Sequence, residues 1–344
     1  MQALWAWLDS VGEIVPGTRT ADRFGAFGEG SAIGFPTATV MNPSSIHIGR
    51  DTLIGRQVTL SVGYGVGDPG MPERGLVIGD KCIIGARCPL TAHESIVVGD
   101  GVFETMKIVD GAAFALSRHL RRLDRSASGL GLEDPDKDLI RTAIHEVLAA
   151  DPSAGLLRIT WSSGAGPWGS GRGDGPGTLV VGTGPGNVWP AAERVHLVQW
   201  RRNEHGPLVG LKTTSYAENV LALTTARRVG CSEALFANTA GHLCEGTGTN
   251  VFLVVDGALI TPPLSSGCLA GVTRELVMEL ADVVERDIDP AEFGSADEAF
   301  LTSSTRDVSP ISAIDEVELP AVPGPVTAGL MAAFADLVAR TTDP

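Results

Sequence analysis

Lysine is scarce in this chain. Only four occur among 344 residues (Lys81, Lys107, Lys137 and Lys212), so arginine carries most of the positive charge. Tyrosine is scarcer still, with two. The five cysteines, Cys82, Cys88, Cys231, Cys244 and Cys268, are odd in number and lack metal-ligand spacing. That pattern leaves no expected metal site and reads as reduced thiols in a cytoplasmic protein. Positive charge is short overall: 26 Lys and Arg against 41 Asp and Glu give a net charge of −15. Nucleic acid and anionic membranes are therefore not expected partners. No apolar run reaches the length of a membrane span. The Trp- and Leu-containing residues 1–8 are too short, and too soon followed by acids, to read as a signal segment. A chain of this length has room for two or three domains.

The first hundred residues carry a repeat. Ile48-Gly49, Ile54-Gly55 and Leu60 follow one another at six-residue intervals, and Ile78-Gly79, Ile84-Gly85 and Leu90 repeat the spacing before Val98-Gly99. An aliphatic residue every six positions is the signature of a parallel β-helix in which each hexapeptide forms one side of a coil. The Gly- and Pro-rich residues 63–74 read as a loop leaving that coil. The segment resembles the hexapeptide-repeat acyltransferases, which implies a left-handed coil, here a partial one of about residues 1–98. His93, in Thr91-Ala92-His93-Glu94-Ser95, is the one candidate acyltransfer base in it.

The other feature is Lys212. Lys81 and Lys137 sit in polar turns, and Lys107 alternates outward in a strand-like run. Lys212 instead follows the apolar residues 207–211 and precedes Thr213-Thr214-Ser215-Tyr216. Desolvation lowers a lysine's pKa and makes its amine a nucleophile toward carbonyls. Downstream, Glu245 opens a small-residue turn, 246–249, that leads into a hydrophobic strand closed by a hairpin turn at Asp256-Gly257. Residues 271–274, Gly-Val-Thr-Arg, open a helical run and place Thr273 where backbone donors face an anion. Residues 302–306, Thr-Ser-Ser-Thr-Arg, end a strand in hydroxyls, and Arg118-His119-Leu120-Arg121-Arg122-Leu123 lies on an amphipathic helix. An amine, an acid and two phosphate-type sites suit a phosphorylated aldehyde.

At these motifs the chain, from about residue 99 to its C-terminus, resembles the fold-type IV pyridoxal-phosphate enzymes. These include branched-chain and D-amino-acid aminotransferases and 4-amino-4-deoxychorismate lyases. The resemblance implies a Schiff base between pyridoxal 5′-phosphate and Lys212, which also shuttles the proton. It implies that Glu245 pairs with the pyridine nitrogen and that Tyr216 contacts the phenolic oxygen. Arg122, Val272, Thr273 and Ser304 would hold the phosphate. The implied fold is α/β, an α+β two-domain enzyme preceded by the partial left-handed β-helix. The expected divisions are 1–98 (coil), 99–182 (small domain lacking its first strands) and 190–344 (large cofactor domain). The resemblance further implies a small-molecule substrate and a homodimer.

The opening motif Gly99-Asp100-Gly101-Val102-Phe103-Glu104-Thr105 is more similar to the lyase and D-amino-acid branches than to the branched-chain branch. It makes conversion of 4-amino-4-deoxychorismate to 4-aminobenzoate and pyruvate the favoured reading. A class IV aminotransferase for D- or branched-chain amino acids is the alternative. A third reading makes the coil the working part, as an acyltransferase or a scaffold carrying an inactive enzyme. The glycine-rich residues 162–177 lack the Gly-Lys-Ser/Thr ending of a nucleotide-binding loop. Periodicity predicts helices over 114–132, 139–150, 217–229 and 327–340, and strands over 156–161, 178–181 and 234–237. The Gly- and Pro-rich residues 182–190 read as a linker.

Overall fold

The computed structural model describes residues 12–37, 39–61, 76–79, 83–84, 89–91, 99–164 and 171–344. Lys81, Cys82, Cys88, His93 and the loop at 63–74 lie outside the described residues. The chain divides into two compact units. Unit 1 comprises residues 1–104 and 130–185, and unit 2 comprises 105–129 and 186–344.

Unit 1 begins with nine short strands: β1 (Ala26–Phe27), β2 (Ala32–Ile33), β3 (Val40–Met41), β4 (Ile46–Ile48), β5 (Leu53–Ile54), β6 (Thr59–Ser61), β7 (Leu76–Ile78), β8 (Ile83–Ile84) and β9 (Pro89–Thr91). They form three parallel three-stranded sheets, β1-β4-β7, β2-β5-β8 and β3-β6-β9. The chain visits the three sheets in turn, so each circuit adds one strand to each. The repeat sets the register: Ile48 pairs with Ile78, Ile54 with Ile84 and Leu60 with Leu90. The repeat side chains Ile33, Ile46, Ile48, Ile54, Leu60, Ile78 and Ile84 are buried together. Corners need left-handed backbone, supplied at Asn42 (φ 55°) and Asp51 (φ 54°), residue types that adopt it with little strain. The buried Ser31 and Thr52 satisfy backbone between circuits. Ser31 Oγ donates to the Gly49 carbonyl (2.6 Å), and Thr52 Oγ1 donates to that of Gly79 (2.8 Å).

The rest of unit 1 holds β12 (Leu156–Ser162), β13 (Thr178–Gly184) and the first part of β10 (Gly101–Val109), with β12 between the other two. The helix α2 (Lys137–Ala150) packs on β13, and Asp136 caps it by accepting from the amides of Asp138 and Leu139, both at 3.0 Å. Val180 of β13 packs against the coil core. Residues 182–184, read from sequence as linker, instead extend β13, pairing with Arg158, Leu157 and Leu156. The partner strand supplies the ladder that glycine's weak strand preference withholds. In the glycine-rich loop, Arg172 grips Asp100 with two hydrogen bonds (2.8 and 2.7 Å) and caps the carbonyls of Leu130 and Gly131.

Unit 2 is built on β14 (Glu193–Arg202), β15 (Glu233–Asn238), β16 (Leu243–Gly246), β17 (Asn250–Val255), β18 (Ala258–Thr261), β19 (Val284–Glu285), β20 (Glu298–Ser303), β21 (Asp307–Ile314) and β22 (Val317–Glu318). The strand order is β16-β15-β14-β21-β20-β17-β18-β19, with β22 on β21. The short β11 (Ala112–Ala113) pairs with the end of β10. Strand periodicity sends Val251 and Leu253 into one buried cluster, with Leu301 and Ile311. It sends Phe252 and Val254 into another, with Phe300, Leu276 and Phe334. The Phe252 and Phe300 rings stack at 4.8 Å. The β17–β18 hairpin turns through Asp256 (φ 51°) and Gly257 (φ 76°), the conformation that Asp-Gly favours. The helices are α1 (Leu116–Leu130), α3 (Ala217–Arg228), α4 (Val272–Leu280) and α5 (Pro325–Arg340). Each lies within a few residues of its predicted span where one was predicted. Cys231, Cys244 and Cys268 are free and buried. Among the described residues, no helix is long and apolar enough to cross a membrane.

Candidate active site

All seven candidate residues lie in unit 2. Lys212 is half-buried and closes the segment that joins β14 to α3. Its amide donates to Ser126 Oγ of α1 at 3.1 Å. The preceding Leu211 lies so close to α1 that a Cβ on Gly129 would stand 2.5 Å from Leu211 Cδ2, so a larger residue there would push the leucine side chain aside. The lysine's backbone is thereby seated on α1, while its Nζ lies 5.7 Å from the centre of the Tyr216 ring. Tyr216 is the N-cap of α3. Burial pushes its pKa up to about 12, with the carboxylate of Glu245 acting in the same direction.

Glu245 projects from β16. One carboxylate oxygen accepts from the Leu269 amide at 2.8 Å, and the other lies 3.3 Å from Arg202 Nε. Burial raises its pKa, while Arg202, the Leu269 amide, Lys212 and Arg122 pull it back down. Arg202 stacks on Phe236, 4.3 Å from the ring centre. Tyr216 also feels Arg202 and Arg122. Amine, phenol, carboxylate and guanidinium thus share one electrostatic environment.

The residues expected to hold a phosphate come from three elements. Arg122, buried on α1, donates from Nη1 to the Ala270 carbonyl at 3.1 Å. Ala270 immediately precedes Gly271, the N-cap of α4, which has no side chain to cap the first turn. The amides of Val272 and Thr273 belong to that turn, where a helix has no internal acceptors for its donors. Gly271 is held against Asn250: a Cβ there would meet Asn250 Oδ1 at 2.0 Å. Asn250 Nδ2 in turn donates to the Leu269 carbonyl at 2.9 Å. Ser304, in the turn between β20 and β21, has its hydroxyl 3.2 Å from Nε2 of the buried His119, three residues before Arg122 on α1.

Sequence reasoning missed Arg202, His119 and Ser126. The spacing of His119 to Arg122 was a usable signal, since positions three apart share a helix face. Arg202 carried none, because its partner comes from a distant strand.

The family model described as amino-transferase class IV matches residues 101–314. The branched-chain-amino-acid aminotransferase of Pseudomonas aeruginosa is 30% identical over 275 residues, covering 71% of this chain and 86% of that protein. The bifunctional aminodeoxychorismate lyase / D-amino acid transaminase of Mycobacterium tuberculosis is 28% identical, covering 70% and 89%. Among solved structures, the 4-amino-4-deoxychorismate lyase from Pseudomonas aeruginosa superposes with a TM-score of 0.65 at 29% identity, covering 72% of this chain and 94% of that one. The branched-chain amino acid aminotransferase from Thermobaculum terrenum, solved in its pyridoxal-phosphate form, gives 0.64 at 30% identity, covering 71% and 86%.

Proposed function

Because this chain belongs to the amino-transferase class IV family, and is thereby an enzyme whose cofactor is pyridoxal 5′-phosphate, we propose that it cleaves 4-amino-4-deoxychorismate to 4-aminobenzoate and pyruvate. The observation that carries the site is the convergence of Lys212, Tyr216, Glu245 and Arg122 in one electrostatic environment. The residues fit the cofactor chemically. Glu245, buried and raised in pKa, would be stabilised as an anion by a protonated ring nitrogen. The buried Arg122 and the uncapped first turn of α4 suit a phosphate dianion.

Bound there, pyridoxal phosphate supplies a sink for the electron pair released when a substrate C–H bond breaks. The chain's residues divide the remaining work. Lys212 anchors the cofactor aldehyde and moves the proton of the amine-bearing substrate carbon at Nζ. Glu245, held by Arg202 and the Leu269 amide, would keep the ring nitrogen protonated. Tyr216, its pKa pushed up by burial, would offer its phenol O–H to the cofactor's phenolic oxygen. Arg122, the amides of Val272 and Thr273, and Ser304 hold the phosphate.

The lyase is favoured by the opening motif at 99–105 and supported by the likeness to the Pseudomonas and Mycobacterium lyases. The alternative, transamination of D- or branched-chain amino acids, is supported by the 30% identity to a branched-chain aminotransferase. For residues 26–91 we read a left-handed hexapeptide coil, supported by the six-residue step and the parallel register. Membership of the family supports a homodimer, and the acidic charge with the free Cys231, Cys244 and Cys268 supports a cytoplasmic reading.

The test begins with the visible spectrum of the protein mixed with pyridoxal phosphate, beside Lys212→Ala. A band that borohydride fixes covalently in the wild type alone is the expected result, and its absence from the wild type defeats the site. 4-Aminobenzoate and pyruvate released with the cofactor unchanged support the lyase. Conversion to the pyridoxamine form by an amino donor, with no aminobenzoate, selects the aminotransferase.

A further inference from the structure

We infer that Arg306 and Glu233 are positioning residues that tie the turn carrying Ser304 to Glu245, so that one connected polar network sets both ends of the cofactor site. The inference rests on the site proposed above. Arg306 lies two residues after Ser304. Its guanidinium is buried over the Trp189 ring, 4.0 Å from the centre, and faces two buried carboxylates. Nη1 is 3.1 Å from Glu233 Oε2, and Nε is 3.7 Å from Glu193 Oε1. Nη1 has no aligned hydrogen-bond acceptor, so charge and stacking, rather than a directed bond, hold this side chain. Trp189 Nε1 also donates to the Thr305 carbonyl at 2.6 Å, so the same ring fixes the turn's backbone.

The path continues from Glu233 toward Glu245. Glu233 accepts from the amide of Thr247 at 3.3 Å and from the Thr247 hydroxyl. Thr247 is two residues past Glu245. The Thr247 carbonyl accepts from Asn219 Nδ2 at 2.5 Å. Asn219 Oδ1 accepts from both terminal nitrogens of Arg202 at 3.3 and 3.2 Å, and Arg202 Nε lies 3.3 Å from Glu245. Every link joins buried or half-buried groups. At Arg306 Nη1 and Arg202 Nε the link is a charge contact without an aligned hydrogen bond, and at Thr247 and Asn219 it is hydrogen-bonded. Buried polar groups coupled in this way are costly to break. For packing alone, apolar residues of similar volume would serve as well as the Arg306–Glu233 pair, since buried ion pairs gain little net stability. The geometry therefore points to positioning.

The test is a double-mutant cycle on cofactor affinity. It is read by absorbance titration of each apoprotein with pyridoxal phosphate, with thermal unfolding of the same apoproteins as a check on folding. Arg306→Met keeps the stem and removes the charge, and Glu245→Gln perturbs the other end. Each single substitution is expected to weaken binding about tenfold, and the pair by clearly less than the product of the two, as coupled sites do. Arg306→Lys should recover part of the loss, as a role in charge placement requires. A double variant whose loss equals the product of the singles, or an Arg306→Met protein with wild-type affinity, overturns the inference. If Arg306→Met does not fold, Asn219→Ala cuts the same path at its middle and enters the cycle under the same criterion. A wild-type protein that binds no pyridoxal phosphate overturns the site and this inference with it. Wild-type binding with an additive cycle overturns the network alone.

Discussion

In the coil of residues 26–91, what is buried repeats: Ile46, Ile48, Ile54 and Leu60 recur circuit by circuit, and the buried polar side chains described there are the hydroxyls of Ser31, Ser45 and Thr52. In unit 2, the buried set does not repeat and it includes charge: Glu193, Glu233 and Glu298 on strands are almost wholly enclosed, as are Arg122 and Arg274 on helices. A repeat buries aliphatic surface by translation, so each circuit presents the same few groups and no place differs from its neighbours. A site needs several different groups at one point. Unit 2 obtains them from different places in the fold: Glu245 from a strand, Ser304 from a turn between strands and Lys212 from the segment that joins β14 to α3.

The sharpest break of that comparison is Glu233→Ala. It strips a buried guanidinium of its nearest carboxylate and should cost about 3–5 kcal/mol in urea unfolding, with a loss of cofactor affinity alongside. A smaller effect is expected at Ile46, fully buried in the coil. Ile46→Ala should cost about 2–4 kcal/mol while leaving the dissociation constant for pyridoxal phosphate unchanged. A parallel fall in affinity would mean that the coil is part of the site's machinery, and the contrast between the two regions would collapse. Thr52→Val removes the hydroxyl that reaches the Gly79 carbonyl. The expected cost is about 1 kcal/mol, seen as a lower unfolding midpoint. The mildest test concerns Glu204 in unit 2, which accepts from the Thr239 amide (2.9 Å) and hydroxyl (2.8 Å) and has its pKa lowered to about 2. A carboxyl depressed in the folded state stabilises above its unfolded value, and that contribution is lost as pH falls. Unfolding of the wild type should therefore ease between about pH 4.5 and pH 2 by more than that of Glu204→Gln. Identical pH profiles would show that the Thr239 contact adds nothing.

Much of this architecture was legible because it is local. The Asp256-Gly257 turn announces itself through residues that tolerate positive φ. The helices α2 and α5 follow from apolar spacing, and the six-residue step fixes the coil's pairing. Residues 182–184 misled because composition records a glycine's preference and omits the neighbouring strand that overrides it. At the site, the short motifs around Lys212, Glu245 and 271–274 stood out, since each is a run of chemically distinct residues. Arg202, Trp189 and Arg306 did not. Their meaning lies in partners brought by other strands, and nothing in Trp200-Arg201-Arg202 marks the third residue over the second. A connected polar network is a property of the folded chain, and local windows see only its separate members.

The coil's register has a practical consequence. Phe27 pairs with Ile48, and Ile48 with Ile78, so the second circuit uses considerably more chain than the first and yet returns to the same face. Stacking therefore counts circuits and is blind to how much polymer separates one paired strand from the next.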